Sequence, residues 1–221
     1  MRRRDAGAKG SKYLMTAKSN PEVFAICLAN GWCSSEGMTY EEAGGVTEIS
    51  SSIFYGNTDI VSFDELKFFT GLKNGLIGEI STTANGAFQN CTSLESIKLP
   101  ENLRLIGVRT FSNCTSLKVV KIPSGVTRIY ESAFFSTNLV SVEIPSSVTR
   151  IDWGAFRNSS NVQYVKIFAT VPPTSYTNNF TGGNYYNAPI YVPDESVEAY
   201  KAATGWSALA SRIKPLSEFV Q

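Results

Sequence analysis

The sequence predicts an α+β repeat fold, a solenoid of about five 22–23-residue turns with a helical amino-terminal cap and a strand-helix carboxy-terminal cap. Three observations lead to this prediction. Apolar residues recur in register along the middle of the chain, two helical segments precede that region, and a strand followed by a helix comes after it. A unit this small cannot bury its own apolar face, so successive copies have to stack on one another.

One aromatic and several aliphatic positions define the repeat. The aromatic positions are 23, 23 and 22 residues apart, at Phe88, Phe111, Phe134 and Phe156. Aliphatic residues follow in the same steps, at Leu94, Leu117, Leu139 and Val162, then Ile97, Val120, Val142 and Val165, then Leu99, Ile122, Ile144 and Ile167. The L-x-x-I-x-I segment predicts a short strand that a proline ends in three copies, and V-x-x-I predicts a second extended piece.

A weaker copy lies upstream, at 52–63. There, Phe54, Ile60 and Phe63 take the places of the first Phe, the Leu and the first Ile of the unit. The segment DELKFFTGLKNGLIGE is predicted to be an insertion that separates this copy from the others.

The consensus A-F-x-N-C-T-S-L-x-x-I-x-I-P-x-x-V-x-x-I resembles the leucine-rich repeats of the BspA-like (Treponema-type) family over about residues 50–170. The segments AICLANGW…GMTYEEAGGVT and IYVPDESVEAYKAATGW are similar to that family's amino- and carboxy-terminal caps. The resemblance implies a leucine-rich-repeat solenoid. It also implies a non-enzymatic surface or secreted protein that binds host or bacterial partners.

Four segments are expected: a basic tail at 1–18, a helix-loop-helix cap at 19–50, leucine-rich repeats at 51–170 and a carboxy-terminal cap at 171–221. In the first cap, Asn20-Pro21-Glu22 predicts a helix to about Asn30. Thr39 and Glu42 predict a capping box for a second helix to about Val46, interrupted by Gly44-Gly45. In the last segment, 189–193 predicts an edge strand and Ser196 begins a helix. Tyr200, Trp206 and Phe219 are expected to seal the core.

The chain has no histidine and four cysteines without a C-x-x-C pair. A Ser-His-Asp triad, a Cys-His pair and every histidine zinc site are therefore excluded. We predict no catalytic residue, no cofactor and no metal site. The loop between the cap helices aligns with a calcium loop in which only Glu36 is acidic, so a packed cap is favoured over a calcium site.

The stretch NCTSL occurs at 90–94 and at 113–117. Cys91 and Cys114 thus share one repeat position, which we assign to Ser136 and Ser159 in the next two copies. A position that accepts Cys or Ser requires a small side chain, so buried free thiols are favoured over a disulfide. Asn90 and Asn113 stand in N-x-T sequons, and hydrogen bonds to the turn backbone are favoured over glycans.

Charge and hydropathy limit partners and location. Twenty basic and nineteen acidic residues give a net charge of +1, so no nucleic-acid partner is predicted. No apolar run approaches the ~18 residues of a membrane span, so no span is predicted. The start MRRRDAGAKGSKYLM lacks the apolar region of a signal peptide. An extracellular, cell-surface or virion location therefore requires a removed signal or release in a phage particle, and an intracellular location stays open.

Stacked repeats align exposed columns of side chains. These columns have two interpretations: a solvated face, or a basic-aromatic strip that binds an acidic protein or a glycan. The segment NNFTGGNYYN at 178–187 is a second candidate surface, a recognition loop. The candidate binding residues are Lys98, Lys121, Arg128, Arg150, Tyr164, Lys166, Tyr185 and Tyr186.

Two function classes remain after these exclusions. The first is a non-enzymatic binding or adhesion module that presents a repeat face or a loop to a protein or glycan partner. The alternative is a structural virion or fibre component of a phage of gut bacteria, which would contact copies of itself or virion neighbours.

Overall fold

The computed structural model describes residues 12–51, 53–159, 161–183 and 187–220. The strands are β1 (Ser62–Phe63), β2 (Leu76–Ile77), β3 (Ser96–Ile97), β4 (Leu105–Ile106), β5 (Arg128–Ile129), β6 (Ser141–Ile144), β7 (Arg150–Ile151), β8 (Tyr164–Ile167), β9 (Ile190–Val192) and β10 (Ile213–Pro215). The α-helices are α1 (Pro21–Ala29), α2 (Tyr40–Gly45) and α3 (Val197–Ala202). Short 3-10 turns lie at Asp64–Phe68, Lys73–Gly75, Asp194–Ser196, Ser207–Arg212 and Leu216–Glu218.

The strands form two parallel rows, as the two extended pieces of each repeat predict. The first strand row contains β1 and β3, then β6, β8, β9 and β10. A bridge from Ser96 to Val119 and a hydrogen bond from the Val140 N–H to the Lys118 carbonyl (2.9 Å) connect its two parts. The second strand row has the order β2, β4, β5, β7. Each turn of the chain therefore adds one strand position to each row, which is the geometry of a solenoid.

A column of stacked aromatic rings runs through the core. Successive ring centroids are 4.8, 5.5, 5.3, 5.1, 5.6 and 5.6 Å apart. The planes of neighbouring rings differ by 5° to 29°, and offset stacking of this kind is favourable. We call this set the ring column: Phe54, Phe88, Phe111, Phe134, Phe156, Phe180 and Trp206, all fully buried.

Backbone hydrogen bonds join the turns beside the ring column. The Phe88 and Phe111 N–H groups donate to the carbonyls of Thr110 (2.8 Å) and Ala133 (2.7 Å) in the following turn. Two positions after each ring, the backbone adopts positive φ, at Asn90 (64°), Asn113 (60°), Ser136 (52°) and Asn158 (69°). Asparagine is among the residues that tolerate this conformation best, which explains the N of the repeat.

The asparagine side chains at this turn bond to side chains of neighbouring turns. The Asn113 amide donates to the Asn90 Oδ1 (2.9 Å), and the Asn90 amide donates to the Tyr55 hydroxyl (3.3 Å). The expectation that these amides bond to the turn backbone is therefore wrong. The ladder continues between Asn158 and Ser136 (3.0 Å), so Ser136 occupies the asparagine position.

The small position of the repeat contains Thr137 in the third copy, so its assignment to Ser136 is wrong. The Cys91 and Cys114 thiols donate to the carbonyls of the ring residues one turn earlier, at 3.0 and 3.1 Å. Thr137 donates to the Phe134 carbonyl (3.1 Å), and its hydroxyl lies 3.0 Å from that of Ser159. The third copy is one residue shorter than the others, and the missing residue falls after Thr137. All four cysteines are free thiols.

The predicted insertion is shorter than expected. Its end, Leu76–Ile77, is strand β2, which pairs in register with Leu105–Ile106 of β4. The first copy therefore has both of its strands. The extra chain between them is 64–75, which contains the 3-10 turns Asp64–Phe68 and Lys73–Gly75.

The two amino-terminal helices form where predicted, and each ends within one residue of the expected position. In the capping box, the Glu42 N–H donates to Thr39 Oγ1 (3.2 Å) and the Thr39 N–H donates to the Glu42 carboxylate (2.7 Å). Asn20 precedes α1 without a side-chain hydrogen bond to it, and its amide nitrogen donates to the Ser62 carbonyl (3.1 Å). Helix α2 includes both glycines, so the expected interruption at Gly44-Gly45 is wrong. Gly71 packs against the end of this helix, where a Cβ on residue 71 would lie 2.2 Å from the Gly44 carbonyl oxygen.

Packing at the amino terminus begins within the segment expected to be a basic tail. Met15 is fully buried and pairs with Met38 in an antiparallel bridge. The run Arg2 to Arg4 lies outside the described residues.

At the carboxy terminus, Tyr200 and Trp206 are buried, and each polar atom has a partner. The Tyr200 hydroxyl donates to the Ala169 carbonyl (2.8 Å), and the Trp206 indole donates to the Pro173 carbonyl (2.7 Å). The expectation that Phe219 also seals the core is wrong. Since β9 and β10 extend the first strand row, the last residues turn back over its outer surface.

Helix α1 has nine residues, about half of what a bilayer crossing requires, and none of the helices in the described ranges is long and apolar enough to cross a membrane.

The ring column predicts a large loss of stability when one ring is removed. Phe111→Ala should lower the free energy of unfolding by about 3–5 kcal/mol, because it leaves a cavity between two stacked neighbours. Val119→Ala, on the exposed surface of the adjoining strand row, should change it by less than about 0.5 kcal/mol. Urea denaturation followed by circular dichroism measures both, and equal losses in the two variants would contradict this role of the column.

Thiol reactivity tests the burial of the cysteines. Burial raises the pKa values of Cys27 and Cys91 to about 12 and that of Cys114 well above its usual value, so thiolate is scarce at pH 8. Cys33 is half-exposed, although burial also raises its pKa. With a chromogenic disulfide reagent, we expect one thiol to react in the native protein and four in denaturant. Native Cys33→Ser should not react, and rapid labelling of that variant would contradict the burial.

Candidate binding surfaces

Three of the predicted binding residues, Lys98, Lys121 and Lys166, form a column on the outer surface of the first strand row, which we call the lysine column. Each lysine has an acidic partner. The nitrogen-to-oxygen distances are 2.5 Å from Lys98 to Asp64, 2.7 Å from Lys121 to Glu101 and 3.4 Å from Lys166 to Glu143. The column is therefore a series of surface ion pairs, whose positive charge is largely offset. Pairs of this kind contribute little to stability.

Tyr164 and Lys166 are partly covered by the end of the chain. The Phe219 ring lies edge-on to Tyr164, with centroids 4.7 Å apart, and to Tyr191, with centroids 5.1 Å apart. The Lys166 ammonium lies 3.6 Å from the Phe219 ring centroid, which is cation–π distance. These two predicted binding residues are therefore engaged within the protein.

An apolar groove lies beside the lysine column. Phe68, Leu99 and the stems of the lysines line a cleft of about 430 Å³. Lys121 separates it from a second cleft of about 300 Å³ that contains Val119 and Phe168. Val119 is 64% exposed and Phe168 is 41% exposed. We call the two adjoining clefts the outer groove.

Sequence reasoning missed the apolar residues of the outer groove. Phe168 occupies the position that proline occupies at Pro100, Pro123 and Pro145. An exposed aromatic side chain where the repeat has proline was the available signal.

Arg128 and Arg150 lie in register on the second strand row, as predicted. Both bind Asp152, a buried carboxylate that the sequence did not single out. Arg128 donates through Nε (2.8 Å) and Nη2 (2.7 Å) to Oδ2, while Arg150 donates through Nε (2.6 Å) to Oδ1. We call these three residues the arginine cluster. Two guanidinium groups on one carboxylate retain a net positive charge and hold one another in place.

Aromatic residues surround the arginine cluster in a cleft of about 210 Å³. The Arg128 guanidinium lies 4.0 Å from the Tyr130 ring centroid. Trp153 and Tyr176 are 45% and 42% exposed. The dipeptide Asp152-Trp153, found where the previous copy has Tyr130-Glu131, was the available signal for this cleft.

The second predicted surface, the loop at 178–187, divides into two parts. Phe180 belongs to the ring column, and Asn179 is buried, where its amide donates to the Ile151 carbonyl (3.2 Å) and accepts from the Ala155 N–H (2.7 Å). This first part of the loop is therefore packed into the protein and is not available as a binding surface. Tyr185 and Tyr186 lie outside the described residues.

The loop between α1 and α2 has its one acidic residue engaged. The Glu36 carboxylate accepts a hydrogen bond from the Tyr13 hydroxyl and lies 3.9 Å from the Lys12 ammonium. Among the described residues, no group of three or more Cys, Asp or Glu side chains is placed to hold a metal ion.

The arginine cluster predicts that substitution of its shared carboxylate lowers the stability of the protein more than substitution of an unpaired surface acid. Asp152→Ala should lower the free energy of unfolding by about 2 kcal/mol, because it removes the shared acceptor and leaves two guanidinium groups close together. Glu195→Ala, at an exposed acid without an ion pair among the described residues, is the matched control. Thermal unfolding compares them, and an Asp152→Ala variant as stable as the control would show that the cluster adds nothing to stability.

The chain matches one protein-family model in sequence and is similar in fold to solved structures. The model described as "BspA type Leucine rich repeat region (6 copies)" matches residues 78–183. A leucine-rich repeat protein from Bacteroides ovatus, solved as a crystal structure, is 19% identical, with a TM-score of 0.40, over 66% of this chain and 47% of that one. This chain thus spans about half the length of that protein. No curated protein is similar enough to count as a match. Residues 78–183 of this chain therefore belong to the BspA-type leucine-rich repeat family.

Proposed function

We propose that the protein is a non-enzymatic protein-binding module that holds its partner in the outer groove. The observation behind this proposal is that Val119 and Phe168 are exposed on a strand row, beside clefts of about 430 and 300 Å³. Exposed apolar side chains that are contiguous and surrounded by polar residues are typical of protein interaction sites.

The surroundings of the groove are rigid. Ser96 and Val119 are bridged, and β6 pairs with β8 over four residues. The apolar side chains therefore project from a hydrogen-bonded scaffold and lose little conformational freedom on binding. Such preorganisation favours affinity.

The charges at one end of the outer groove, the cleft at Phe68, favour an acidic partner segment, because Lys67 adds a positive charge there to the paired lysines. The cleft at Phe68 is lined by Lys67, Lys98, Lys121 and one acid, Glu101. Its lining charges sum to +2, and Asp64 offsets Lys98 from outside the lining, which leaves a net charge of +1 at this end of the groove. A protein segment with apolar side chains flanked by Asp or Glu would complement this groove, and the charges would increase its association rate.

The remaining features of the proposal rest on the resemblance of the repeats. We take the module to be about five turns with caps at 19–50 and 171–221, acting in adhesion at a cell surface or outside the cell. Its partner is a protein of another kind, so the isolated module should be a monomer. A stable homo-oligomer that buries the groove would instead favour a fibre or virion component.

A display selection tests the proposal. Random peptides are selected on the wild-type protein and then measured by calorimetry against Phe168→Ala and Lys121→Glu. We expect acidic, apolar peptides that bind at least tenfold more weakly to each variant, as at a typical binding hot spot. Ile80→Ala, at an exposed apolar residue in the bend after β2, is the matched control and should bind normally. Selected peptides that bind all variants equally would refute the groove as the site.

A further inference from the structure

We infer that the second strand row carries a separate binding site for an uncharged sugar unit of a glycan, formed by the arginine cluster with Trp153 and Tyr176. This site is on different residues from the outer groove and does not depend on the proposed function. Four features of the cleft support it: its aromatic surfaces, its polar groups, its charge and its size.

The aromatic surfaces are exposed and adjacent. Trp153 follows Asp152 directly, and Tyr176 occupies the equivalent of the Asp152 position in the next turn, since Arg150 pairs with Thr174. Both side chains line the same cleft as the arginines. The Arg157 guanidinium lies 5.7 Å from the Trp153 ring centroid. The C–H faces of a pyranose ring pack against exposed rings of this kind.

The polar groups are held in fixed positions. Arg150 uses Nε to bind Asp152 at 2.6 Å, and its two Nη nitrogens have no hydrogen-bond partner among the described residues. The Asp152 N–H donates to the Ile129 carbonyl (2.8 Å), which fixes the backbone of the acceptor. The guanidinium therefore presents a preorganised pair of donors at the edge of the cleft, spaced for two neighbouring oxygen atoms.

The charges in the cleft sum to zero. Arg128 and Arg150 are opposed by Asp152 and by Glu131, a residue of the same lining. Glu131 would repel an anionic ligand, whereas sugar hydroxyls can accept from Arg150 and donate to polar residues of the lining such as Glu131. A ligand with alternating donors and acceptors and no net charge is therefore the best complement.

The size of the cleft limits the ligand to one ring. Its volume of about 210 Å³ is below the roughly 300–1,000 Å³ of pockets that hold drug-sized ligands. A single sugar unit, at the end of a chain or at a branch, matches this volume. A longer glycan would extend from the cleft along the second strand row.

Titration with defined polysaccharide fragments tests this inference. The probes are neutral oligosaccharides of glucose, mannose, galactose, xylose and N-acetylglucosamine, with polygalacturonate and heparin fragments as anionic comparisons. The readout is the indole N–H resonance of Trp153, which differs from the other two indoles because Trp206 is buried and Trp32 is partly buried. We expect at least one neutral probe to shift this resonance in a saturable manner.

Variants assign the binding to the cleft. Trp153→Ala should weaken binding of that probe at least tenfold, whereas Trp153→Phe, which keeps an aromatic face, should weaken it less than about threefold. Tyr176→Ala should weaken sugar binding independently of Trp153. Both side chains are exposed enough to be removed without leaving a cavity in the protein. Phe168→Ala in the outer groove is the matched control and should leave sugar binding unchanged.

Three results would overturn the inference. They are no response to any neutral probe, binding of the anionic probes alone, and neutral-probe binding that survives both Trp153→Ala and Tyr176→Ala. None of these results bears on the peptide-binding experiment at the outer groove, so the two sites are tested separately.

Discussion

Stacking of one aromatic ring per turn is the constraint on which the rest of the structure depends. The ring centroids are 4.8 to 5.6 Å apart, close to the roughly 4.7–4.9 Å between paired strands. Ring stacking and strand pairing therefore require nearly the same rise per turn and reinforce each other. The third copy can lose a residue after Thr137 because neither its ring nor its strands move out of register. At the carboxy-terminal end, Trp206 continues the column and Tyr200 packs edge-on to it, with centroids 5.2 Å apart.

The same register positions both candidate surfaces. Residues that follow the repeat pattern fill the interior, whereas the side chains with possible binding roles stand where the pattern is relaxed. Val119 and Phe168 project from the first strand row, and Trp153 and Tyr176 project from the second. Because exposed positions contribute little to the core, a solenoid of this kind can change its ligands without changing its fold.

Periodicity in the sequence predicted the two parallel rows, five of the seven ring residues and most of the buried positions, because each depends on spacing alone. Phe180 was instead expected in a recognition loop, because it lies beyond the last copy that the spacing identifies. Contacts between turns were harder to predict. The partners of Lys98, Lys121 and Arg128 come from residues outside the repeat pattern or from a neighbouring turn, and surface ion pairs have no sequence signature. Phe219 was misplaced because the path of the chain after β10 depends on where the first strand row ends.

Native-state hydrogen exchange is the most direct test of the ring column as the common support. The amides of Phe88, Phe111 and Phe134 donate across successive turns beside the column. They should exchange only through global unfolding, with a single common free energy. If these three amides instead exchange through separate, lower-energy openings, the turns open independently, and the ring column is not their common support.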